Sequence, residues 1–250
     1  MPENWCPFCP GSGRVPEHYD VWLYPNDFPA FEGACDVVLY SPEHHLLPSE
    51  MSLEQWGKVI ELWTKRTVEL AADPNVKYVM VFENAGEAVG VTMPHPHGQI
   101  YGFPFIPPRV ERELQAPQCA HCSVLEDEMT NGTRIVAKNE LFCAFVPYFA
   151  RFPYEMQIYS RAHLRGLADL PDRRALAEIV SIVRKKYDAL FRSPMPLMMI
   201  LHQERHFYIE FLPLRRGANK LKYLAAVETS MWTFLEDVIP EQAAEELRRA

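Results

Sequence analysis

The alternation of apolar and polar stretches predicts strands at four places in the first half of the chain. Runs at 21–24, 36–40 and 76–82 are rich in Val, Leu and aromatic residues and end at Pro, Asn, Ser or Glu. Apolar runs bounded in this way are typical of strands. A further strand is predicted from the histidine-containing stretch near residue 95 through Phe105.

Between the second and third of these runs, the apolar spacing changes to that of a helix. The apolar positions are Leu53, Trp56, Ile60, Trp63 and Leu70. Ser52 followed by Gln55 forms the capping box that begins a helix, and Pro74 ends it. A sheet that carries one helix is therefore predicted for this half of the chain.

The second half of the chain repeats this order of elements. Its predicted elements are strands near 134–137, 142–146 and 154–159, a helix from about Asp172, and a strand at 197–201. We therefore predict an α+β fold with two tandem units, 1–115 and 116–250, each an antiparallel sheet with a packed helix. The stretch from Leu221, which includes a Pro-capped helix at 241–249, lies outside the repeat.

Composition narrows the class of protein. The 250 residues are 48% hydrophobic, which is enough for a sizeable core, and they contain no apolar run of membrane-spanning length. The formal net charge of −8 argues against general binding to nucleic acid or anionic membranes, because that binding needs clustered Lys and Arg. The start MPENWCPFCPGSGR lacks the regions of a secretion leader, so a cytoplasmic location is expected.

Four of the six cysteines form two Cys-x-x-Cys pairs. The pairs are Cys6 with Cys9 and Cys119 with Cys122. In a cytoplasmic chain, such pairs are more typical of metal sites or buried thiols than of disulfides. The other two cysteines, Cys35 and Cys143, lie in apolar runs and are expected in the core.

Histidines at predicted strand ends complete two candidate metal sites. The first cysteine pair combines with His95, and with either His44 or His45, into a Cys2His2 set suited to zinc. The second pair combines with His163. Its fourth ligand is open among His202, His206, Glu113 and Glu210. By residue count, Tyr208 takes the place of His95 in the second half. The alternative interpretation of both pairs is free thiols beside surface imidazoles.

The stretch from Met93 to Tyr101 carries the strongest candidate chemistry. In an extended strand, side chains two residues apart point to the same side, so His95, His97 and Gln99 form one row. With His95 on a metal, a neutral His97 can attack phosphorus if its other ring nitrogen is held, and Gln99 can donate its amide to a phosphate oxygen. Gly98 lacks a Cβ, which predicts room for an anion. The alternative role for His97 is a hydrogen-bonded structural histidine.

Four motifs of the chain resemble those of the galactose-1-phosphate uridylyltransferase family, a branch of the histidine-triad superfamily. They are Cys6-x-x-Cys9, Ser41-Pro42-Glu43-His44, Val81-Phe82-Glu83-Asn84 and Pro94-His95-Pro96-His97-Gly98-Gln99-Ile100. The resemblance extends over nearly the whole chain. It implies two histidine-triad-like units and the transfer of UMP from UDP-glucose to galactose 1-phosphate through a uridylyl-histidine.

The resemblance also implies roles for individual residues. His97 would be the nucleophile, and Gln99 would contact the phosphate. Zinc would bind Cys6, Cys9, His44 and His95. Substrate would contact Tyr24, Asn26 and Asp27 at uracil and ribose, Asn84, Gly90 and Thr92 at phosphate, and Lys222 and Glu228 at the hexose. Apart from the resemblance, the repeat of the cysteine pairs predicts a second metal site at Cys119, Cys122, His163 and His202.

Three departures separate the chain from the family pattern. The family supplies arginines to the nucleotide phosphates from a segment before the first cysteine pair, and here Arg14, Arg109 and Arg112 are the possible substitutes. The site that the family often builds from Glu and His for a further metal falls on Glu113, His202, Tyr208 and Glu210, of which only Glu113 and His202 keep the expected residue type. Apolar residues stand in the hexose pocket where polar ones are expected, namely Ala225, Ala226, Val227 and Phe234.

Together these features predict a nucleotidylyltransferase that binds zinc, uses UDP-sugar and sugar-phosphate substrates, and forms a homodimer, since the family completes its sugar pockets across subunits. Hydrogen bonds lost from the hexose pocket are not replaced by apolar contact, which leaves the acceptor open. One alternative keeps the covalent chemistry but uses another phosphorylated acceptor or inorganic phosphate. The other alternative is a non-catalytic protein that binds a nucleotide or zinc.

Overall fold

The computed structural model describes residues 5–250, so residues 1–4 of the first predicted unit lie outside the described part. Nine strands form one sheet in the order β1-β2-β4-β3-β8-β9-β7-β6-β5. They are β1 (Trp22–Pro25), β2 (Cys35–Leu39), β3 (Tyr78–Ala85), β4 (His97–Phe103), β5 (Ile135–Lys138), β6 (Phe142–Phe145), β7 (Met156–Ser160), β8 (Leu197–His202) and β9 (Tyr208–Pro213). Every neighbouring pair is antiparallel, and the predicted α+β class is confirmed.

The described residues also form six α-helices and a small hairpin. The helices are α1 (Leu53–Ala71), α2 (Pro108–Gln115), α3 (Ala120–Asn131), α4 (Arg173–Leu190), α5 (Ala226–Met231) and α6 (Pro240–Arg249), and the hairpin pairs β10 (Arg215–Gly217) with β11 (Lys220–Leu221). Within this described range, every helix is too short or too polar to cross a membrane.

Helices α1 and α4 pack on one face of the sheet, and both begin as the sequence predicts. The backbone N–H of Gln55 donates to the Ser52 side chain at 3.0 Å, and the N–H of Arg174 donates to Asp172 at 2.8 Å. These caps accept hydrogen bonds from backbone N–H groups of the first helical turn, which have no acceptor within the helix. The largest fully buried side chains on this face include Trp56 and Trp63 of α1.

The sheet passes through both predicted units without a break. Strands β3 and β8 pair antiparallel, with Val81 opposite Leu201. Beneath this seam, the guanidinium of Arg184 on α4 lies 3.0 Å from the carboxylate of Glu83 on β3, and both side chains are buried. A buried ion pair is costly to break one partner at a time, so it links the two halves of the sheet. The division of the chain at residue 115 stays a prediction.

Gly98 is required for a reason other than the predicted approach of an anion. Along β4, Gly98 and Ile100 are buried on the face that α1 covers, whereas His97 and Gln99 lie on the opposite face. A Cβ on Gly98 would overlap the Tyr40 hydroxyl and lie 3.0 Å from the Phe82 carbonyl oxygen. Glycine therefore lets Tyr40 pack directly beneath the strand that carries His97.

The Gly98→Ala variant is expected to be less stable than wild type by about 1–3 kcal/mol, because the added methyl overpacks a filled space. Thermal unfolding measures the loss. The matched control is Gly57→Ala in α1, where a Cβ meets nothing within 4 Å and helix propensity favours alanine. Adding Tyr40→Phe to Gly98→Ala should recover part of the loss, and equal melting of Gly98→Ala and wild type would contradict this account.

Candidate active site and metal centres

Strand β4 begins within the row formed by His95, His97 and Gln99. The first residue of this row fixes the orientation and tautomer of the second. The Nδ1–H of His97 donates to the backbone carbonyl of His95 at 2.7 Å. This hydrogen bond selects the tautomer in which Nε2 of His97 keeps its lone pair. His97 is half-buried, so a lone pair is presented on the face of the sheet opposite α1. That is the arrangement a nucleophilic imidazole needs.

Gln99 is oriented by two polar neighbours on the same face. Its Oε1 accepts a hydrogen bond from the Tyr101 hydroxyl at 3.0 Å and one from Asn26 Nδ2 at 3.5 Å. Because both neighbours donate to the carbonyl oxygen, the amide N–H2 of Gln99 is left to donate to a ligand. The geometry suits a donor to a negatively charged oxygen beside His97.

The residues predicted to contact uracil and ribose lie together at the end of β1. The Tyr24 hydroxyl donates to Asp27 at 3.0 Å, and the Arg14 guanidinium lies 2.9 Å from the same carboxylate. Phe8 connects this group to the row, because its ring centroid is 5.6 Å from that of Tyr24 and 5.5 Å from that of His97. The sequence reasoning missed Phe8. Its position between the two cysteines of the first pair was the available signal.

The first cysteine pair meets two histidines in a compact cluster. The members are Cys6, Cys9, His44 and His95, whose ligand atoms all lie within 4.8 Å of one another. The Cys9 Sγ is 3.2 Å from His44 Nδ1 and 3.7 Å from His95 Nδ1. A tetrahedral zinc with the usual bond lengths separates sulfur and nitrogen ligands by about 3.6 Å. The cluster can hold a metal, and His44 rather than His45 belongs to it.

Hydrogen bonds and burial prepare His95 as a ligand. Its Nε2–H donates to the backbone carbonyl of Ser41 at 2.7 Å, which leaves Nδ1 free to face the cysteines. Burial lowers the pKa of His95 to about 4, so the ring is neutral at physiological pH. Burial, followed by the hydrogen bond and charge of Cys6, raises the pKa of Cys9 to about 11 in the protein alone. A bound dication reverses that effect, since coordinated thiols are deprotonated.

The second cysteine pair forms an equivalent cluster with a different fourth member from the predicted His202. The cluster contains Cys119, Cys122, His163 and His206. The Cys122 Sγ is 3.1 Å from His163 Nδ1 and 3.5 Å from His206 Nδ1. His202 lies elsewhere, with its ring stacked on Tyr208 at 4.2 Å and its Nε2 3.3 Å from Glu210. His202 ends β8, and its side chain faces Glu210 of β9 rather than the cysteines.

The second half therefore carries its own row, displaced by two residues from the predicted match. The Nε2 of His206 is 3.0 Å from the backbone carbonyl of Ser160, as His95 Nε2 is from that of Ser41. His206 is thus the counterpart of His95. Tyr208 and Glu210 then stand where the first row has its nucleophile candidate and its amide.

Two of the three predicted phosphate-side residues, Asn84 and Thr92, face a cavity beside His97. This cavity has a volume of about 480 Å³, and Asn84, Thr92 and His97 are among its lining residues. Gly90 adopts a left-handed conformation with φ of 83° at the end of the short turn 87–89, which favours glycine there. The predicted hexose residues line a separate cavity of about 380 Å³. There, Lys222 Nζ lies 3.2 Å from Glu228.

The three arginines considered as phosphate ligands have different surroundings. Arg14 is paired with Asp27, and its side chain is 39% exposed. Arg109 is bound to Glu210 and to the Tyr208 hydroxyl, each at about 3.0 Å. Arg112 is exposed on α2. Among them, Arg14 lies beside Tyr24 and Asp27, which are predicted to contact uracil and ribose, whereas Arg109 is hydrogen-bonded to residues of the second row.

Comparisons with known proteins assign the chain to one family. Residues 27–107 match the family model described as galactose-1-phosphate uridyl transferase, N-terminal domain, and residues 116–250 match that of the C-terminal domain. A galactose-1-phosphate uridylyltransferase of Thermotoga maritima is 37% identical over 97% of this chain and 88% of its own length. One from Streptomyces lividans is 34% identical over 99% of this chain and 79% of its own length.

A solved uridylyltransferase structure has the same fold as this chain. The two superpose with a TM-score of 0.93 at 30% sequence identity, over 100% of this chain and 92% of the other. Likeness in both sequence and structure therefore extends through both halves of the sheet and both rows.

Proposed function

The chain belongs to the galactose-1-phosphate uridylyltransferase family, and from that membership we propose that it transfers UMP from UDP-glucose to galactose 1-phosphate through a uridylyl-histidine. The observation that carries this mechanism is the 2.7 Å hydrogen bond from His97 Nδ1–H to the His95 carbonyl. That bond leaves Nε2 as the attacking atom. Gln99 and the group at Tyr24, Asn26 and Asp27 lie on the same face.

In the first step, Nε2 of His97 attacks the α-phosphorus of the UDP-sugar. The new N–P bond forms as the bond from phosphorus to the bridging oxygen breaks, and glucose 1-phosphate leaves as an anion. A phosphate is a good leaving group without protonation, which fits a site whose partner residue is an amide. The amide of Gln99 donates to a non-bridging oxygen and stabilises the charge that develops there.

In the second step, a phosphate oxygen of galactose 1-phosphate attacks the same phosphorus from the vacated side. The N–P bond breaks, its electron pair returns to Nε2 of His97, and UDP-galactose is released. His97 needs no proton at Nε2 in either step. The carbonyl of His95 holds the Nδ1 proton throughout and stabilises the positive charge on the ring of the intermediate.

The two Cys/His clusters are proposed to hold zinc. Two thiolates and two imidazoles in a tetrahedral set are the ligands that structural zinc sites use. In the first cluster, Cys6, Cys9, His44 and His95 would fix the segment before β1 against the start of β4. In the second cluster, Cys119, Cys122, His163 and His206 would fix the start of α3 against β9. The metal has a structural role in this proposal and takes no part in the transfer.

The wild-type protein incubated with UDP-glucose alone should gain the mass of UMP less one water, with release of glucose 1-phosphate. Intact-mass measurement at neutral or alkaline pH detects the adduct, because phosphoramidates are labile in acid. Galactose 1-phosphate should then remove the adduct and yield UDP-galactose. Release of glucose 1-phosphate only when both substrates are present would contradict the covalent route and favour direct transfer.

One observation favours a different phosphorylated acceptor as the second candidate. The polar residues of the predicted hexose pocket are paired with each other, because Lys222 contacts Glu228 and donates to the Leu235 carbonyl. Phe234 packs on Phe152, with ring centroids 6.0 Å apart. Offering the uridylylated protein a panel of sugar phosphates and inorganic phosphate ranks the acceptors. Turnover with another member of the panel, but not with galactose 1-phosphate, would select this second candidate.

We propose that the chain acts as a homodimer in the cytoplasm. Large apolar side chains are concentrated at the surface of the segment 223–239, where Tyr223, Met231 and Trp232 are 72–78% exposed. An apolar patch of this kind favours burial against another protein surface. None of the six cysteines, all of which lie in the described part of the chain, forms a disulfide, as is usual in a reducing compartment.

Light scattering should give a solution mass near twice the 28.9 kDa of one chain. Replacing Met231 and Trp232 with Asp should reduce the mass to that of a monomer, because two charges would have to be buried at the interface. The matched control is Val68→Asp, a half-exposed apolar residue on α1. A monomeric wild type, or a dimeric double variant, would contradict the assignment of this segment.

A further inference from the structure

The segment 232–239 connects α5 with α6 without forming a helix or strand, and alternate residues in its middle face the body of the protein. Phe234, Glu236 and Val238 are half-buried, whereas the residues between them are exposed. Val238 packs against the main core. A segment with this alternation is held by its inward side chains. Phe234 is the first of them, so it fixes the part of the segment that follows α5.

The Phe234 ring contacts two side chains of the turn that precedes β7. The guanidinium carbon of Arg151 is 5.2 Å from the ring centroid of Phe234, and the ring centroid of Phe152 is 6.0 Å from it. A guanidinium at this distance from an aromatic face is attracted by the electrons of the ring. Phe152 is itself buried and supplies the apolar part of the contact. The anchor of the segment is therefore a cation and an aromatic ring of the second half of the sheet.

Two buried carboxylates hold Arg151 in this position. Its Nη2 lies 2.5 Å from Glu210, the last residue of the second row, and its Nε lies 4.0 Å from Glu155. The side chains of Glu210 and Glu155 are 2% and 0% exposed. A charge-assisted hydrogen bond to a buried carboxylate fixes the geometry of a side chain that is otherwise long and flexible. One guanidinium thus connects the second row with the segment 232–239.

The residues that follow Phe234 form one wall of the cavity that contains Lys222 and Glu228. Residues 235–237 are among those that line this cavity. The backbone carbonyl of Leu235 also accepts a hydrogen bond from the Lys222 ammonium. The position of the backbone after Phe234 therefore sets both the width of the cavity and the place of its cation.

We propose that Arg151 is a positioning residue for the sugar-phosphate acceptor, and that it acts through Phe234 on the wall 235–237 of this cavity. The second row, in which Tyr208 stands at the position of His97, then serves to anchor the acceptor site. The inference rests on the proposed function, because it takes this cavity as the acceptor site. The anchoring itself is measured without substrate, so its failure and that of the transfer reaction are distinguishable.

Removal of the guanidinium leaves both carboxylates with other partners. Glu210 keeps its two contacts with Arg109, at 3.0 and 3.1 Å. Glu155 keeps the hydrogen bond from the Gln157 amide at 2.8 Å. Burial, followed by the charge of Glu210, raises the pKa of Glu155 to about 7, so this carboxyl can take up a proton instead of remaining an unpaired charge. The Arg151→Met variant keeps most of the apolar stem and is therefore expected to fold.

Hydrogen exchange of the protein without substrate tests the anchor. In Arg151→Met, the backbone amides of the segment 232–239 should exchange about 3- to 10-fold faster than in wild type, while those of α1 keep their rates. Phe234→Ala should have the same effect on the segment. The matched control is Arg174→Met, which removes an exposed arginine of α4. Unchanged exchange of the segment in Arg151→Met would overturn the proposal, whether or not the protein transfers UMP.

Steady-state kinetics tests the consequence for the acceptor. Arg151→Met should raise the KM for galactose 1-phosphate by about 3- to 10-fold and leave kcat within about twofold of wild type, because the first row is untouched. In the Phe234→Ala background, the same substitution should change this KM by less than about twofold, since the ring on which it acts is absent. Arg151→Lys keeps a cation and should recover part of the loss. A lower kcat at unchanged KM, or an equal rise of KM in both backgrounds, would contradict the proposed route through Phe234.

Discussion

The His97→Ala variant should form no uridylyl adduct with UDP-glucose and should lose about 10⁴- to 10⁶-fold in transfer rate, as expected when a nucleophile is removed. Its Nε2 is the free nitrogen of the ring, because Nδ1–H is bound to the His95 carbonyl. Alanine cannot form the N–P bond, and the neighbouring His95 has its Nδ1 directed at the cysteines. Intact mass with UDP-glucose and steady-state transfer measure the two effects.

Two control variants show whether the effect is specific to His97. One removes a histidine outside the site, and the other removes a neighbouring residue of the site. His18→Ala removes an exposed histidine and should leave the adduct and the rate unchanged. Gln99→Ala should still form the adduct but about 10²- to 10³-fold more slowly, because it loses one donor to the developing charge. Melting of His97→Ala close to wild type shows that the fold is retained. An adduct of normal yield on His97→Ala would refute the assignment of the nucleophile.

Cys9→Ala should lose one metal equivalent and at least about 4 kcal/mol of stability, in the range seen when a structural metal is lost. For a chain of this size, that corresponds to a fall in Tm of about 8–16 °C. The rate of adduct formation should fall together with metal content and stability, because Phe8 beside Cys9 packs against the His97 ring. Metal analysis, thermal unfolding and intact mass follow the three effects.

Variants of the two Cys/His clusters should give different results in this experiment. Cys122→Ala should also lose one equivalent and stability, but the folded protein should still form the adduct, since that cluster anchors the second row. Cys35→Ala, a buried cysteine outside both clusters, should keep both equivalents. Full metal content in Cys9→Ala, or equal loss of adduct in both cluster variants, would show that the first cluster does not position the nucleophile.

Local signals in the sequence predicted the elements that position the site. The cap at Ser52 and the apolar spacing of α1 placed that helix, and the alternation around His97 placed β4. Both depend on residues close in sequence, whose conformational preferences are local. Helices α2 and α3 were missed, because α2 has a single buried side chain and α3 only two, so neither shows a wide apolar stripe.

The second row shows where residue counting fails. Spacing between motifs matched Tyr208 to His95, whereas the structure matches His206 to His95. Loops between equivalent strands differ in length, so a count through them drifts by a few residues. The reliable signal is chemical, since His206 repeats the contact of His95 with a carbonyl and with two cysteines. The role of Arg109 depends on contacts across about a hundred residues of sequence, which no local pattern contains.

The seam between β3 and β8 has a consequence for the history of the molecule. Strand β3 follows α1, and β8 follows α4. The two halves of the sheet are therefore joined by two equivalent strands that pair antiparallel. Equivalent antiparallel strands are related by a local two-fold axis, as in an isologous dimer of a single half. In such a dimer every substitution appears twice. In one chain, by contrast, each half can be substituted on its own, and the two rows do differ, since the first carries His97 and the second carries Tyr208 against Arg109.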